Sequence, residues 1–251
     1  MASGSPPYDS VGDLYRQYKT TASLPILERQ LFLDLVGSVS GLRVLDLATG
    51  YGTYARLALD LGAAEVVGVD ISPAMVRLAC QAGTSRRISF RAADARRLPP
   101  LGTFDVVTAV WLFNYADSPA ELEAMAVSVR TALRPGGRLI AITINPGFDL
   151  AGPDWIRYGL TVDAAVPSPR RDWLEISLLT PTTAIPLSTS RWAADVYTAA
   201  MTRAGLQAPV WQLPTVPEPE VTRREPGYWT AAISNPFVAG FSSHLIRTGP
   251  G

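Results

Sequence analysis

The chain of 251 residues carries 22 basic and 22 acidic side chains, a formal net charge of zero, and hydrophobic residues at 47% of its positions. That is enough for a sizeable buried core in one domain, or in one domain with an insertion, while the balanced charge leaves no electrostatic footprint for nucleic acid or an anionic membrane. No apolar run reaches the roughly 18 residues that span a bilayer, and the opening Met-Ala-Ser-Gly-Ser-Pro-Pro lacks the basic and apolar regions of a secretory signal. The expectation is a cytoplasmic protein, monomer or homodimer, that handles a small and largely uncharged molecule. Every basic residue except Lys19 is arginine. The single cysteine, Cys80, allows no internal disulfide and reads as a small buried hydrophobe beside Val76 and Ala79.

Residues 1–7 read as a disordered leader. Tyr8, Tyr15 and Tyr18 then crowd a polar, helix-compatible stretch, either as packing residues of an amphipathic element or as a lid over a ligand. From Leu24 to Val36, Leu27, Leu31 and Leu35, with Phe32 and Val36, recur at helical spacing, and Gly37 is placed to end that helix. Alternating units follow. The apolar strand Arg43 to Leu47 runs into the turn Thr49-Gly50-Tyr51-Gly52 and a helix from Thr53 to Leu61, closed by Gly62. The strand Glu65 to Val69 meets Asp70, and Ser72-Pro73 caps the next helix, which runs to about Cys80. The strand Ile88 to Arg91 leads to Asp94, and the strand Phe104 to Val110 leads into Trp111-Leu-Phe-Asn-Tyr115. Ser118-Pro-Ala-Glu121 is a capping box for a helix ending at Leu133, and Arg134-Pro-Gly-Gly-Arg138 turns the chain into the strand Leu139 to Ile144. Strands alternating with helices imply a parallel sheet covered on both faces.

After Asn145 the pattern changes. Residues 145–190 are rich in proline, serine, threonine and tryptophan, show no helical period and read as an irregular insertion at the mouth of a binding crevice. A helix returns over Arg191 to Ala204, and strands around Val210 to Leu213 and Phe237 to Leu245 bracket a proline-rich loop that carries Tyr228 and Trp229.

In a doubly wound sheet the exits of the parallel strands share one edge, so loops distant in sequence converge on one crevice. Gly50 and Gly52 let backbone approach a ligand, Asp70 suits the two hydroxyls of a ribose, and Asp94 suits an exocyclic adenine amine. Peptide oxygens near Ala48 and Val110 suit an ammonium group, while Asp46 is as well placed to fix loop amides as to touch a ligand. Together these residues describe a ligand with an adenosine and a charged amino-acid tail. The Gly-x-Gly has no third glycine, which argues against a nicotinamide-dependent dehydrogenase.

Five segments, Val44-Leu-Asp-Leu-Ala-Thr-Gly-Tyr-Gly52, Val67-Gly-Val-Asp-Ile-Ser-Pro-Ala-Met75, Ala92-Ala-Asp-Ala95, Phe104-Asp-Val-Val107 and Leu133-Arg-Pro-Gly-Gly-Arg138, occur in the order and spacing of one family. On them the sequence resembles the class I S-adenosylmethionine-dependent methyltransferases, over roughly residues 40–145. The tyrosine-containing start and Asn235-Pro-Phe-Val-Ala-Gly240 further resemble bacterial small-molecule methyltransferases of the toxoflavin-pathway kind. Thr49, and Thr53 or Tyr54, stand where relatives often carry cysteine or glycine. The resemblance implies an α/β fold: a doubly wound, mostly parallel seven-stranded sheet with helices on both faces and an antiparallel C-terminal strand. It divides the chain into an N-terminal helical lid (1–36), a cofactor-binding core (37–144), a substrate-binding insertion (145–190) and a helix with strands that complete the sheet (191–251). It also implies S-adenosylmethionine as cofactor. Ala48, Thr49, Gly50 and Gly52 would meet its tail, Asp70, Ile71, Met75, Asp94 and Ala95 its nucleoside, and Val110, Trp111 and Tyr18 would complete the site.

A sulfonium methyl is already electrophilic, so such a reaction needs placement and exclusion of water rather than a triad or a metal, and no metal-ligand cluster is expected. His244, the sole histidine, and Tyr15 and Tyr18 are the side chains considered for receiving a proton from the acceptor. Tyr15, Trp111, Asn114, Trp155, Tyr158, Trp173 and Tyr228 are the expected substrate contacts. So many aromatics point to a small aromatic or heteroaromatic acceptor in bacterial natural-product metabolism, with nitrogen slightly favoured over carbon or oxygen. The alternative is a protein of this fold that uses bound cofactor structurally, for a rearrangement or for binding.

Overall fold

The apolar runs of the sequence become the strands of a central sheet, and the residues between them become its covering helices. The computed structural model describes residues 12–246; the leader expected over 1–7, and Tyr8, lie outside them. Two helices come first, α1 (Gly12–Thr21) and α2 (Leu24–Val36). Next are β1 (Arg43–Leu47), α3 (Thr53–Asp60), β2 (Glu65–Asp70), α4 (Pro73–Gln81), β3 (Ile88–Ala92), β4 (Phe104–Val110), α5 (Pro119–Ala132) and β5 (Leu133–Ile144). After an excursion the chain returns through α6 (Ala194–Arg203), β9 (Val210–Gln212), α7 (Glu218–Arg223), α8 (Thr230–Ser234) and β10 (Val238–His244).

The seven strands lie in the order β3-β2-β1-β4-β5-β10-β9. The first five are parallel, and β10 runs antiparallel to both β5 and β9. Every residue of β4 is buried, as a central strand covered on both faces requires. One face packs on α2 and α3 through Leu27, Leu31, Phe32, Tyr54, Ala55 and Ala58, the other on α5 and α6 through Leu122, Met125, Val129, Val196 and Tyr197. This is the expected α/β, doubly wound sheet with an antiparallel C-terminal strand.

The excursion departs from expectation. The segment read as irregular folds into a three-stranded antiparallel sheet of β6 (Leu160–Val166), β7 (Arg171–Leu179) and β8 (Ala184–Trp192). Its signal is a period of two: Asp172, Leu174, Ile176 and Leu178 are buried, while Trp173 is exposed and Glu175 and Ser177 are only partly covered. Strand β8 also extends through Arg191, so the following helix starts at Ala194. The proline-rich loop carries two short helices, α7 and α8. Cys80 is exposed rather than buried. Helix α4 buries Met75 and Ala79, one turn apart, and the next residue points about 100° away from that stripe.

Candidate active site

Strands β1, β2, β3 and β4 deliver Ala48, Asp70, Asp94 and Trp111 to one edge of the sheet, around a cavity of about 310 Å³. The glycine turn after β1 is held by hydrogen bonds that begin at buried side chains. Asp46, 2% exposed, accepts 2.6 Å bonds from the Thr49 hydroxyl and from Thr108, its register neighbour on β4. Burial pushes its carboxyl up to about 6, against the opposing effect of those bonds. Asp70 accepts the Gly50 amide at 2.7 Å and the Ser72 amide at 2.9 Å, so one carboxylate ties the turn after β1 to the cap of α4. Ser72 in turn accepts the Met75 amide at 3.1 Å, the N-cap foreseen from Ser72-Pro73.

Gly50 sits at φ +55°, and a Cβ there would meet nothing within 4 Å among the described residues, so open space adjoins the turn. Gly52, at φ +89°, is different: a Cβ would lie 2.8 Å from the Phe90 ring. Ala48 (φ 55°) and Trp111 (φ 59°) are the two non-glycine residues with positive φ among the described residues. Both stand at strand exits on the cavity wall, where such strain, of order 1–3 kcal/mol each, tends to gather at binding sites.

Asp94 is clasped by Arg96, whose amide donates at 2.8 Å and whose guanidinium reaches both carboxylate oxygens at 2.8–3.0 Å. The other arm of Arg96 reaches Glu121 at 2.8 Å. Desolvation raises the Asp94 carboxyl, but the bonds and charge of Arg96, with the charge of Arg97, outweigh it and hold the group below its ordinary value. Ile71, Met75, Ala95 and Val110 complete this wall. Thr49 and Gly52 shape the turn from behind without lining the cavity.

A second, smaller cavity of about 30 Å³ lies among α1, α2, the inner face of the antiparallel sheet and the exit of β4. Tyr15, Trp111 and Tyr115 line both cavities. Tyr18 and Asn114 line the second, so Tyr18, expected at the cofactor, is placed in the smaller cavity rather than the larger.

Beneath this boundary stands Glu28 of α2, a residue that sequence reasoning missed. It is 1% exposed and accepts Tyr54 Oη at 2.6 Å, Trp111 Nε1 at 2.8 Å and the ammonium of Lys19. A charged residue within an otherwise apolar helical stripe was its only mark in the sequence. Burial, reinforced by the Glu28 charge, pushes the hydroxyls of Tyr15, Tyr18 and Tyr54 well above the ordinary tyrosine value. They are phenols at neutral pH.

Five other expected residues are not brought to either cavity. Trp155, Tyr158 and Tyr228 form an aromatic cluster with Trp229 and Phe237, with ring centroids 4.9–6.0 Å apart. Their polar tips are satisfied locally: Trp155 Nε1 donates to the Asn235 carbonyl at 2.8 Å, Tyr158 Oη to the Tyr228 carbonyl at 2.6 Å, and Tyr228 Oη to the Arg157 carbonyl at 3.0 Å. Trp173 lies on the outer face of β7, its indole donating to Glu175 at 2.9 Å. His244 is exposed and pairs in register with Arg138, at the end of β5 opposite the cavities. From Ile144 back to Arg138 at about 3.3 Å per residue is roughly 20 Å.

Residues 44–137 match the family described as "Methyltransferase domain". A solved S-adenosylmethionine dependent methyltransferase from Mesorhizobium loti superposes over 90% of this chain and 99% of its own, with a TM-score of 0.62 at 21% identity. The fold is that of the class I S-adenosylmethionine-dependent methyltransferases. Among curated relatives, the demethylmenaquinone methyltransferase of Thermus thermophilus is 37% identical over 123 residues, 47% of this chain and 54% of its own. The ubiquinone/menaquinone biosynthesis C-methyltransferase of Pseudomonas aeruginosa is 32% identical over 165 residues, covering 62% and 60%. This chain spans about half the length of the first curated relatives it matches. In this methyltransferase fold the larger cavity occupies the crevice at the strand exits, where such sheets bind nucleotide-like ligands.

Proposed function

We propose that the protein transfers the methyl group of S-adenosylmethionine to a small, flat aromatic or heteroaromatic metabolite in bacterial natural-product metabolism. The observation that carries this is the pair of adjoining cavities divided by Tyr15, Trp111 and Tyr115: one lined by the carboxylates Asp70 and Asp94, the other lined largely by apolar side chains. The donor set suits the cofactor. Asp70 accepts from the ribose, Asp94, steadied by Arg96, accepts from the adenine amine, and the open space at Gly50 takes the amino-acid tail. When bound, the cofactor supplies an electrophilic methyl, so the acceptor needs alignment and a dry site more than an activated base. The three dividing aromatics exclude water at the boundary, and Trp111 is fixed there by its bond to Glu28. Among the described residues Glu28 is the one carboxylate lining the second cavity, and it takes up the proton that a methylated acceptor releases, the role first considered for His244.

A ring carbon as the acceptor atom, in place of nitrogen, is favoured by one observation, the likeness to a relative named as a C-methyltransferase. Incubation with methyl-labelled cofactor and a panel of naphthols, hydroxyquinolines and quinols tests both, because NMR of the product assigns the methyl to C, N or O. Tight binding of S-adenosylhomocysteine with no methylated product across the panel would favour the structural use of the cofactor instead. Asp70→Ala is expected to weaken S-adenosylhomocysteine binding by about 1.5–3 kcal/mol through loss of charge-assisted hydrogen bonds; unchanged affinity in calorimetry would refute the ribose contact.

A further inference from the structure

An arginine–carboxylate pair whose side chains are 36% and 34% exposed, as Arg96 and Asp94 are, contributes little to stability, because water screens it and both side chains lose freedom. The clasp on Asp94 is nevertheless elaborate. Oδ1 accepts the Arg96 amide at 2.8 Å and Nε at 3.0 Å, and Oδ2 accepts the same Nε at 3.0 Å and Nη2 at 2.8 Å. Three N–H groups thus occupy an anion that offers about four acceptor sites, which leaves room for one further donor. Arg96 is itself fixed from its far side. Its Nη1 donates to Glu121 Oε1 at 2.8 Å, Glu121 Oε2 accepts the Asp117 amide at 3.0 Å, and the Glu121 amide donates to the Ser118 hydroxyl at 3.2 Å, at the start of α5. Asp94, Arg96, Asp117 and Glu121 all line the larger cavity. Arg96 and Glu121 lie outside the five segments on which the sequence resembles its family, so the clasp belongs to this chain rather than to those motifs.

A carboxylate that is free to turn discriminates poorly, because it rotates toward a donor and away into water from an acceptor. One held through both oxygens cannot turn, so it rewards an N–H placed at its open site and repels an oxygen placed there. We propose that Arg96, anchored on Glu121, is a positioning residue that makes Asp94 selective at the purine 6-position, admitting an amine and rejecting a carbonyl oxygen. This rests on the assignment of Asp94 to the adenine amine. The one open site takes one N–H of that amine, and the guanidinium that fills the other sites also prevents the carboxylate from swinging aside for a 6-oxopurine. Selectivity for the nucleoside is thereby set jointly by the loop after β3 and the first turn of α5.

The test compares S-adenosylhomocysteine with S-inosylhomocysteine, in which a carbonyl oxygen replaces the 6-amine, by calorimetry on the full chain. Both ligands need the same folded cavity, so the ratio of their affinities is insensitive to a general loss of stability. The parent is expected to prefer S-adenosylhomocysteine by roughly thirtyfold or more, the worth of one charge-assisted hydrogen bond. Arg96→Met is expected to lower that preference by at least about fivefold, and Glu121→Ala to lower it by less. Asp94→Asn, whose amide can turn to accept or to donate, is expected to abolish it. An unchanged or increased preference in Arg96→Met or in Glu121→Ala, with Asp94→Asn abolishing it, overturns the proposal and leaves the adenine contact standing. A preference that survives Asp94→Asn, no preference in the parent, or binding of neither ligand overturns the adenine contact itself, and this proposal with it.

Discussion

Two buried carboxylates at the site differ in their partners: one is matched by a cation and the other only by hydroxyls and amides. Among the described residues Asp46 has no cationic partner, and burial raises its carboxyl from 3.8 to about 6. A group raised in the folded state favours folding while protonated, so its contribution is complete below about pH 4 and is lost as pH rises through about 6. The stability of the parent relative to Asp46→Asn is therefore expected to fall by up to about 3 kcal/mol between pH 4 and pH 7. Urea unfolding of both proteins across that range checks it, and a flat difference would mean that Asp46 does not titrate there. Glu28 is matched by Lys19, whose side chain is 9% exposed. Glu28→Gln strands that ammonium and is expected to cost about 3–5 kcal/mol. Adding Lys19→Met should return most of the loss, which a double-mutant cycle measures directly.

The strand-turn-helix element from β1 to α3 divides its labour between two glycines that look alike in sequence. Both have positive φ, but the space beside them differs. At Gly52 an added methyl runs into the Phe90 ring, so Gly52→Ala is expected to lower stability by about 1–3 kcal/mol. At Gly50 the methyl enters open space, so Gly50→Ala should cost only the left-handed backbone penalty of about 1–2 kcal/mol while weakening S-adenosylhomocysteine binding disproportionately. Denaturation and calorimetry on the two variants separate these outcomes. The alternation of elements was legible from the sequence because buried parallel strands and amphipathic helices leave strong patterns. The insertion was misread for an equally physical reason. Proline, serine and threonine suggested a loop, and the period-two alternation of Asp172, Leu174, Ile176 and Leu178 was outweighed by composition, although it is the pattern that half-buried antiparallel strands require.

At the scale of the molecule, function follows from which edge of the sheet a residue reaches. His244 lies at the end of β10 away from the cavities. His244→Ala is therefore expected to leave methyl transfer within about twofold of the parent and to change stability by no more than about 0.5 kcal/mol; a lost limb in the pH–rate profile would overturn that placement. The sequence by itself determined the doubly wound core and the convergence of Ala48, Gly50, Asp70, Asp94 and Trp111, because strand direction and connection handedness leave parallel strands only one shared exit edge. Tertiary structure alone decided which aromatics border the second cavity. Tyr15, Trp111 and Tyr115 border it, whereas Trp155, Tyr158 and Tyr228 satisfy one another elsewhere, since an aromatic ring is equally content in a core or on a pocket wall. It also decided the role of Glu28, whose partners come from α1, α3 and the exit of β4 and meet only when the two N-terminal helices close over the sheet.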